Sequence, residues 1–356
     1  MVNSLYVHIP FCTKKCPYCH FFVAPDRPDL KAPFLHALKQ EWDLRELAGP
    51  FESIYFGGGT PALYPEAIEA VLSWAGPQTC EITVEANPEG APFERFAAAG
   101  VNRVSIGVQS LDDALLKQLG RTPSASDARN AVLAAHRAGI HNITIDLMYE
   151  IPGQTVASWR DTLAQLADLP ITHLSLYNLT LEPGTPFGRQ ERKLRTLLPH
   201  PEHALLMLNE AVQALHTLGL NRYEISAFAR PGFESHHNTG YWTARPFYGL
   251  GPSAFSYREG TRSRNVASLF RYQERLAARA SPTDFTETLA PEAHLRELLA
   301  VELRLLRGVP QEKFPLFLQE SVAKLIQRGW LIEEEGRFRL TEAGTLFYDS
   351  VAVELI

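Results

Sequence analysis

From the start of the chain to about residue 228, short β-rich runs alternate with longer amphipathic stretches. "SLYVHI" (4–9), "SIYFG" (53–57), "EITVEA" (81–86), "RVSIGV" (103–108), "NITIDL" (142–147) and "HLSLYN" (173–178) are rich in Val, Ile, Leu and Tyr and read as strands. A further run, "RYEISAF", follows at 222–228. Between them "LKAPFLHALKQEWDLREL", "SASDARNAVLAAHRAG", "TVASWRDTLAQLADL" and "HALLMLNEAVQALHTLG" carry helical periodicity, with Gly100, Gly139 and Gly219 where helices give way to strands. Such alternation predicts an α/β fold with a largely parallel sheet. Six units of this kind curl into a partial (β/α)6 barrel. Ligands of such sheets sit at the carboxyl ends of the strands, and that is where Gly57 to Thr60, Glu85, Gln109, Asp146 and Asn178 accumulate.

After residue 228 the rhythm breaks. The stretch "ARPGFESHHNTGYWTARPFYGLGPSAFSY" is rich in Gly, Pro, His and aromatics, so 229–290 is expected to be an irregular connecting segment with an ordered function. From 291 to 356 two helical patterns precede the hairpin-like "LIEEEGRFRLT" and a last helix, which suggests a small α+β, winged-helix-like domain. The expected organisation is therefore 1–228, 229–290 and 291–356.

Composition narrows the class rather than the function. With 356 residues, 45% of them hydrophobic and 21% charged, the chain can bury a full core. A formal net charge of −6 supplies no basic field, so nucleic acid is not the expected partner. "MVNSLYVHIPFC" lacks the pattern of an export signal, and no apolar run reaches the length of a membrane span; a cytoplasmic protein is the expectation.

The unusual chemistry lies in "CTKKCPYCHFF", where three of the four cysteines fall within eight residues. In a reducing compartment such a cluster points to metal binding or catalysis rather than disulfides. A structural zinc site would need a fourth ligand, which His8 or His20 could supply. A single reactive thiol leaves the other two unexplained. A [4Fe-4S] cluster held by Cys12, Cys16 and Cys19 would keep one iron open for a ligand. Cys80, alone before a strand, reads as a small core residue.

The C-x3-C-x2-C spacing, with Tyr18 before the third cysteine, resembles the signature of the radical S-adenosylmethionine (SAM) superfamily. The resemblance implies that Cys12, Cys16 and Cys19 hold the cluster and that SAM chelates the open iron, where an electron cleaves it to a 5′-deoxyadenosyl radical and methionine. It also implies a SAM pocket formed by Tyr6, Tyr18, the loop Gly58, Gly59 and Thr60, and by Glu85, Gln109, Arg121 and Asp146. On residues alone, the "GGGTP" glycines would bring backbone N–H groups close to a ligand.

"YVHIPFCTKKCPYC", "YFGGGTP", "VEANPE", "RVSIGVQS" and "IDLMYEIPGQT" further resemble the oxygen-independent coproporphyrinogen III oxidase (HemN-like) group over nearly the whole chain. The oxidases carry another cysteine two residues after the third, where this chain has Phe21, and an extension ahead of the first strand. Both departures favour the HemW-type haem chaperones of that group. "HNTGYW" matches their HN-x-x-YW motif, which implies haem binding by His237, Tyr241 and Trp242. His236 is an alternative axial ligand, and Arg245 a partner for a propionate. Two further departures, His20 after the third cysteine and Pro123 beyond Arg121, bear on the SAM pocket. Implied partners are haem, haem-accepting proteins such as respiratory enzymes and an electron donor for the cluster, with peripheral membrane association and a homodimer left open. A radical enzyme acting on a tetrapyrrole, or a radical methyltransferase, is the alternative.

Overall fold

The computed structural model describes residues 4–356. Strands β1 (Ser4–Ile9), β2 (Ser53–Gly58), β3 (Glu81–Ala86), β4 (Arg103–Gln109), β5 (Asn142–Tyr149) and β6 (His173–Asn178) lie side by side in chain order. All are parallel. Helices such as α1 (Pro28–Leu44) and α2 (Ala125–Arg137) connect them, and α3 (Pro201–Thr217) follows the last. Helix α2 shows how local sequence sets an element. Ser124 and Asp127 form a reciprocal capping box, and Ala125, Ala128, Ala131, Val132 and Ala135 make a stripe of small buried side chains.

The sheet curls. Inward-facing residues of five successive strands, among them Tyr55, Glu85, Ser105, Asp146 and Ser175, line one chamber of about 60 Å³, which a flat sheet could not bring about. The barrel interior is thus polar, whereas the main apolar core lies between the strands and the surrounding helices, with Leu5, Ile54, Val84, Ile106, Ile145 and Leu174 fully buried or nearly so.

Two expectations need correction. "RYEISAF" does not continue the parallel series: it divides into β7 (Asn221–Glu224) and β8 (Ala227–Ala229), an antiparallel pair added outside β6. The segment expected to be irregular carries helix α4 (His236–Trp242) and strands β9 (Phe247–Leu250), β10 (Phe255–Arg258), β11 (Thr261–Asn265) and β12 (Thr283–Thr288). Strand β9 pairs parallel with β1, and the other three follow antiparallel to give one sheet of twelve strands. A buried carboxylate fastens this extension to the barrel. Glu41 of α1 is ion-paired with Arg45 at 2.8 Å and accepts hydrogen bonds from Gly251 N, Asn265 Nδ2 and the Tyr272 hydroxyl at 2.8, 2.7 and 2.6 Å.

Beyond it, α5 (Pro291–Glu302) and α6 (Gln319–Gln327) pack with a small three-stranded sheet formed by Val309–Pro310, Leu331–Glu334 and Arg337–Leu340. Leu299, Leu303, Leu325 and Val351 give this unit its own core. Arg304 anchors it to the barrel through Glu224 at 3.2 Å. No helix among the described residues is long and apolar enough to cross a membrane.

Candidate cofactor site

At the carboxyl ends of the parallel strands a cavity of about 370 Å³ gathers Cys12, Cys16, Tyr18, Cys19, Gly58, Gly59, Thr60, Glu85, Gln109, Arg121 and Asp146. Residues more than a hundred positions apart meet there because most sit in the carboxyl half of a strand, just beyond its end, or on the loop after β1, while Arg121 follows the short helix Asp113–Gln118. Tyr6 is the exception. It lies half-buried outside the cavity lining, its hydroxyl 3.1 Å from His8 Nδ1 and its ring stacked on Tyr55 with centroids 6.1 Å apart, so it supports the site from below.

The cysteine loop is clamped to the glycine loop. Gly59 N donates to Ile9 O at 3.0 Å, Thr60 N to Phe11 O at 2.7 Å, and Gly58 N to Glu85 Oε2 at 3.1 Å. The N–H groups expected to face a ligand are therefore taken, and what remains is acceptor oxygen, which suits an ammonium group. The glycines are required by packing: a Cβ on Gly59 would stand 2.4 Å from Pro10 O, and one on Gly58, at φ +116°, would stand 2.6 Å from the His8 ring.

Burial pushes the Cys12 and Cys19 thiols up. Opposing this, Thr60 Oγ1 lies 3.5 Å from Cys12 Sγ and Arg121 Nη1 3.7 Å from Cys16 Sγ. Among the described residues no three His, Cys, Asp or Glu groups close on a point where a single ion could sit. His8 is no candidate for a fourth zinc ligand, because its Nε2 lies 3.0 Å from Phe22 O while Nδ1 meets Tyr6, and burial lowers its pKa to about 4. His20 is exposed at the rim with its ring 4.7 Å from that of Phe21.

The remaining walls are polar, charged and half-buried. Arg121 donates to Asn87 Oδ1 at 3.1 Å and to Gly107 O, while its buried Nε has no partner, a donor that a carboxylate would satisfy. Gln109 holds a left-handed backbone (φ +69°) where the β4–β5 register shifts, which aims it into the cavity. Burial raises Glu85 to about 7 and Asp146 to about 6; Tyr55 donates to Glu85 Oε1 at 2.8 Å, and Ser105 to Asp146 Oδ1 at 3.3 Å. Asn87 was not singled out from the sequence, although it follows a strand within "VEANPE"; its amide bonds Thr60 Oγ1 at 3.1 Å and ties the glycine loop to Arg121. Pro123 lies outside the cavity lining.

The HNTGYW segment is elsewhere. Helix α4 closes the opposite, N-terminal end of the barrel, its first N–H groups donating to Glu81 at 3.0 and 2.9 Å. His237, expected to be the axial haem ligand, has both ring nitrogens engaged within the protein. Its ring is buried, with Nδ1 2.8 Å from Ser53 Oγ and Nε2 2.8 Å from the Tyr241 hydroxyl, and burial lowers its pKa to about 3. Trp242 is likewise covered, by the Arg304 guanidinium 4.3 Å from its ring centre. The accessible imidazole is His236, half exposed and 3.9 Å from Glu52, which also pairs with Arg245 at 3.1 Å. With Cys80, Thr239, Thr243, Arg245 and Arg307 it lines a polar hollow of about 790 Å³.

The comparisons agree with this architecture. A family model of the radical SAM superfamily matches residues 6–166, and one of the HemN C-terminal domain matches 289–347. The haem chaperone HemW of Lactococcus lactis is 33% identical over 96% of this chain and 94% of its own length. The mouse mitochondrial protein radical S-adenosyl methionine domain-containing protein 1 is 35% identical over 99% of this chain and 87% of its own. A solved structure of coproporphyrinogen III oxidase (HemN) from Escherichia coli, described as a radical SAM enzyme, superposes with a TM-score of 0.86 over 99% of this chain and 90% of that one; at 24% identity it shows the shared fold. The chain belongs to the radical SAM superfamily and, within it, to the family of the haem chaperone HemW.

Proposed function

We propose that this chain is a haem chaperone that holds a [4Fe-4S] cluster and SAM at the carboxyl end of its barrel and haem at the opposite end. The observation that carries the reading is the separation of the two sites: three thiols and an unpartnered Arg121 Nε at one mouth, the half-exposed imidazole of His236 over a hollow at the other. Cys12, Cys16 and Cys19 would hold the cluster. The glycine loop and Glu85 offer acceptors to the SAM ammonium and Arg121 a donor to its carboxylate, with Tyr18, Gln109 and Asp146 shaping the rest. When bound, the cluster supplies one-electron reducing power to SAM. The protein's part is to fix both in a partly enclosed cavity.

For haem, the iron ligand would be His236 rather than His237, because the His236 side chain lines the hollow while both ring nitrogens of His237 are engaged, and Arg307 on the same lining would pair with a propionate. Tyr241 and Trp242 then act by holding α4 in place. A polar, open hollow suits a carrier that must release its load to acceptors such as respiratory enzymes. Cluster reduction calls for an electron donor protein.

Anaerobic reconstitution followed by iron and sulfide analysis tests the cluster: alanine at Cys12, Cys16 or Cys19 should abolish loading, and Cys80→Ala should not. On the same preparations His236→Ala should diminish the Soret absorbance of added haem without changing iron–sulfur content. An unchanged Soret band removes His236 from the reading.

A further inference from the structure

Strand β2 turns alternate residues toward the barrel interior, and two of them, Ser53 and Tyr55, reach two levels of it. Ser53 meets His237 at the floor, Oγ to Nδ1 2.8 Å. Tyr55 occupies the middle. Its ring stacks on the His237 ring with centroids 4.9 Å apart and planes 27° from parallel, and its hydroxyl donates to Glu85 Oε1 at 2.8 Å. Gly57 lets the ring lie flat against the backbone, since a Cβ there would stand 3.0 Å from it. Glu85 in turn walls the cofactor cavity and accepts the Gly58 N–H. One side chain therefore touches the helix at the floor and a carboxylate of the cofactor site.

The chamber of about 60 Å³ beside Tyr55 is an independent sign that this level can move. Glu85 and Asp146 bound it towards the cofactor cavity, and Ser235 and Asn238 at the start of α4 bound it below. Two of its wall atoms, Thr83 Oγ1 and His173 Nδ1, are buried with no partner. A polar space of this size has room for one or two waters. Helix α4 therefore rests on a hydrogen-bonded, hydratable layer, and can shift without opening an apolar void.

We infer that Tyr55 is a positioning residue that couples the cofactor cavity to α4, so that SAM bound above and haem bound on the floor each strengthen the binding of the other. The identity of the two ligands rests on the proposed function. A cationic amine beside Glu85 favours its carboxylate, and a carboxylate holds the Tyr55 hydroxyl more firmly than a neutral acid does. The ring is thereby fixed, and with it the surface on which His237 sits. Helix α4 seated in this way presents His236 outward to the hollow. Such coupling is reciprocal and commonly amounts to about 5- to 150-fold in affinity.

The test uses the full chain with its cluster reconstituted and reads amide hydrogen exchange across residues 236–242, with and without saturating SAM. SAM should slow exchange there about fivefold or more. Tyr55→Phe keeps the stacked ring without the hydroxyl and should abolish the slowing at equal SAM saturation. Glu85→Gln keeps an acceptor without the charge and should lose most of it, which serves if the first variant does not fold. No slowing in the native protein, or equal slowing in both variants, overturns the coupling. A Soret titration separates the two readings. Haem bound about fivefold more tightly with SAM supports both, and haem affinity unchanged or weakened by SAM overturns the coupling. SAM-dependent exchange in a protein that binds no haem leaves the Tyr55 link standing and sinks the haem assignment.

Discussion

Replacing His237 by alanine should destabilise the protein in the absence of any cofactor. The ring bridges Ser53 and Tyr241 through 2.8 Å hydrogen bonds and stacks on Tyr55, and it is 1% exposed. Each lost bond costs about 1 kcal/mol. Ser53 keeps its contact with Ser4 at 2.9 Å, whereas the Tyr241 hydroxyl is left without the partner it had. The cavity left by the imidazole adds about 1–2 kcal/mol, which brings the expected loss to about 3–4 kcal/mol. Against a typical total of about 5–15 kcal/mol this is large. His236, next in sequence but half exposed, should cost less than about 0.5 kcal/mol as alanine. Urea denaturation of the two cofactor-free variants, read as midpoint shifts at constant slope, provides the comparison. A loss below about 1 kcal/mol for His237→Ala, or equal losses at the two positions, would refute the placement of His237 as a structural strut. The contrast also governs how haem experiments are read, because a weaker Soret band in a His237 variant can come from a loosened floor helix.

Gly59→Ala should force the backbone at Pro10 and Phe11 away from a Cβ built 2.4 Å from Pro10 O, at a cost of about 1–3 kcal/mol. Reduced iron loading together with a lower melting temperature is expected, and full values of both would show that the loops have slack. Stability should also respond to pH through two opposed sets of groups. His8 and His237, held at about 4 and about 3, contribute stability that is full above the ordinary 6.5 and lost as pH falls toward those values. Glu85 and Asp146, raised to about 7 and about 6, contribute stability that is full at acidic pH and lost as pH rises through 6 and 7. Removing one of the second set by Glu85→Gln in the cofactor-free protein should steepen the gain of stability between about pH 5 and 7, by at most about 1.4 kcal/mol per pH unit. An unchanged slope in urea titrations would place that carboxyl in water.

The parallel barrel was legible because its six strands are short apolar runs, and β1, β3 and β6 begin and end where the sequence pattern places them. Most of the cofactor cavity was legible for a related reason: a polar or glycine residue at the end of such a run has few places to point. Three things were hidden. Strand β9 pairs with β1 across more than two hundred residues, and β12, "TDFTET", lies at the sheet edge with almost no apolar alternation, so neither carries a local signal. Tyr6 alternates along β1 like any inward residue, and only its side-by-side stacking on Tyr55 of the neighbouring strand shows that it lies at the level below the cavity lining. His236 and His237 are adjacent, and their sequence does not say which faces in. The capping of α4 by Glu81 and the hydroxyls of Ser53 and Tyr241 decide that, and all three contacts are tertiary or depend on the helix forming.

The central claim is a carrier of haem on a radical SAM scaffold, as opposed to an enzyme that consumes a porphyrinogen. Its most direct test is one anaerobically reconstituted sample, divided and supplied with reductant and SAM, then titrated with haem in one half and incubated with coproporphyrinogen III in the other. A haem carrier gives a saturable Soret band in the first half and unaltered coproporphyrinogen in the second. Decarboxylated product in the second half, with no haem retained in the first, would contradict it.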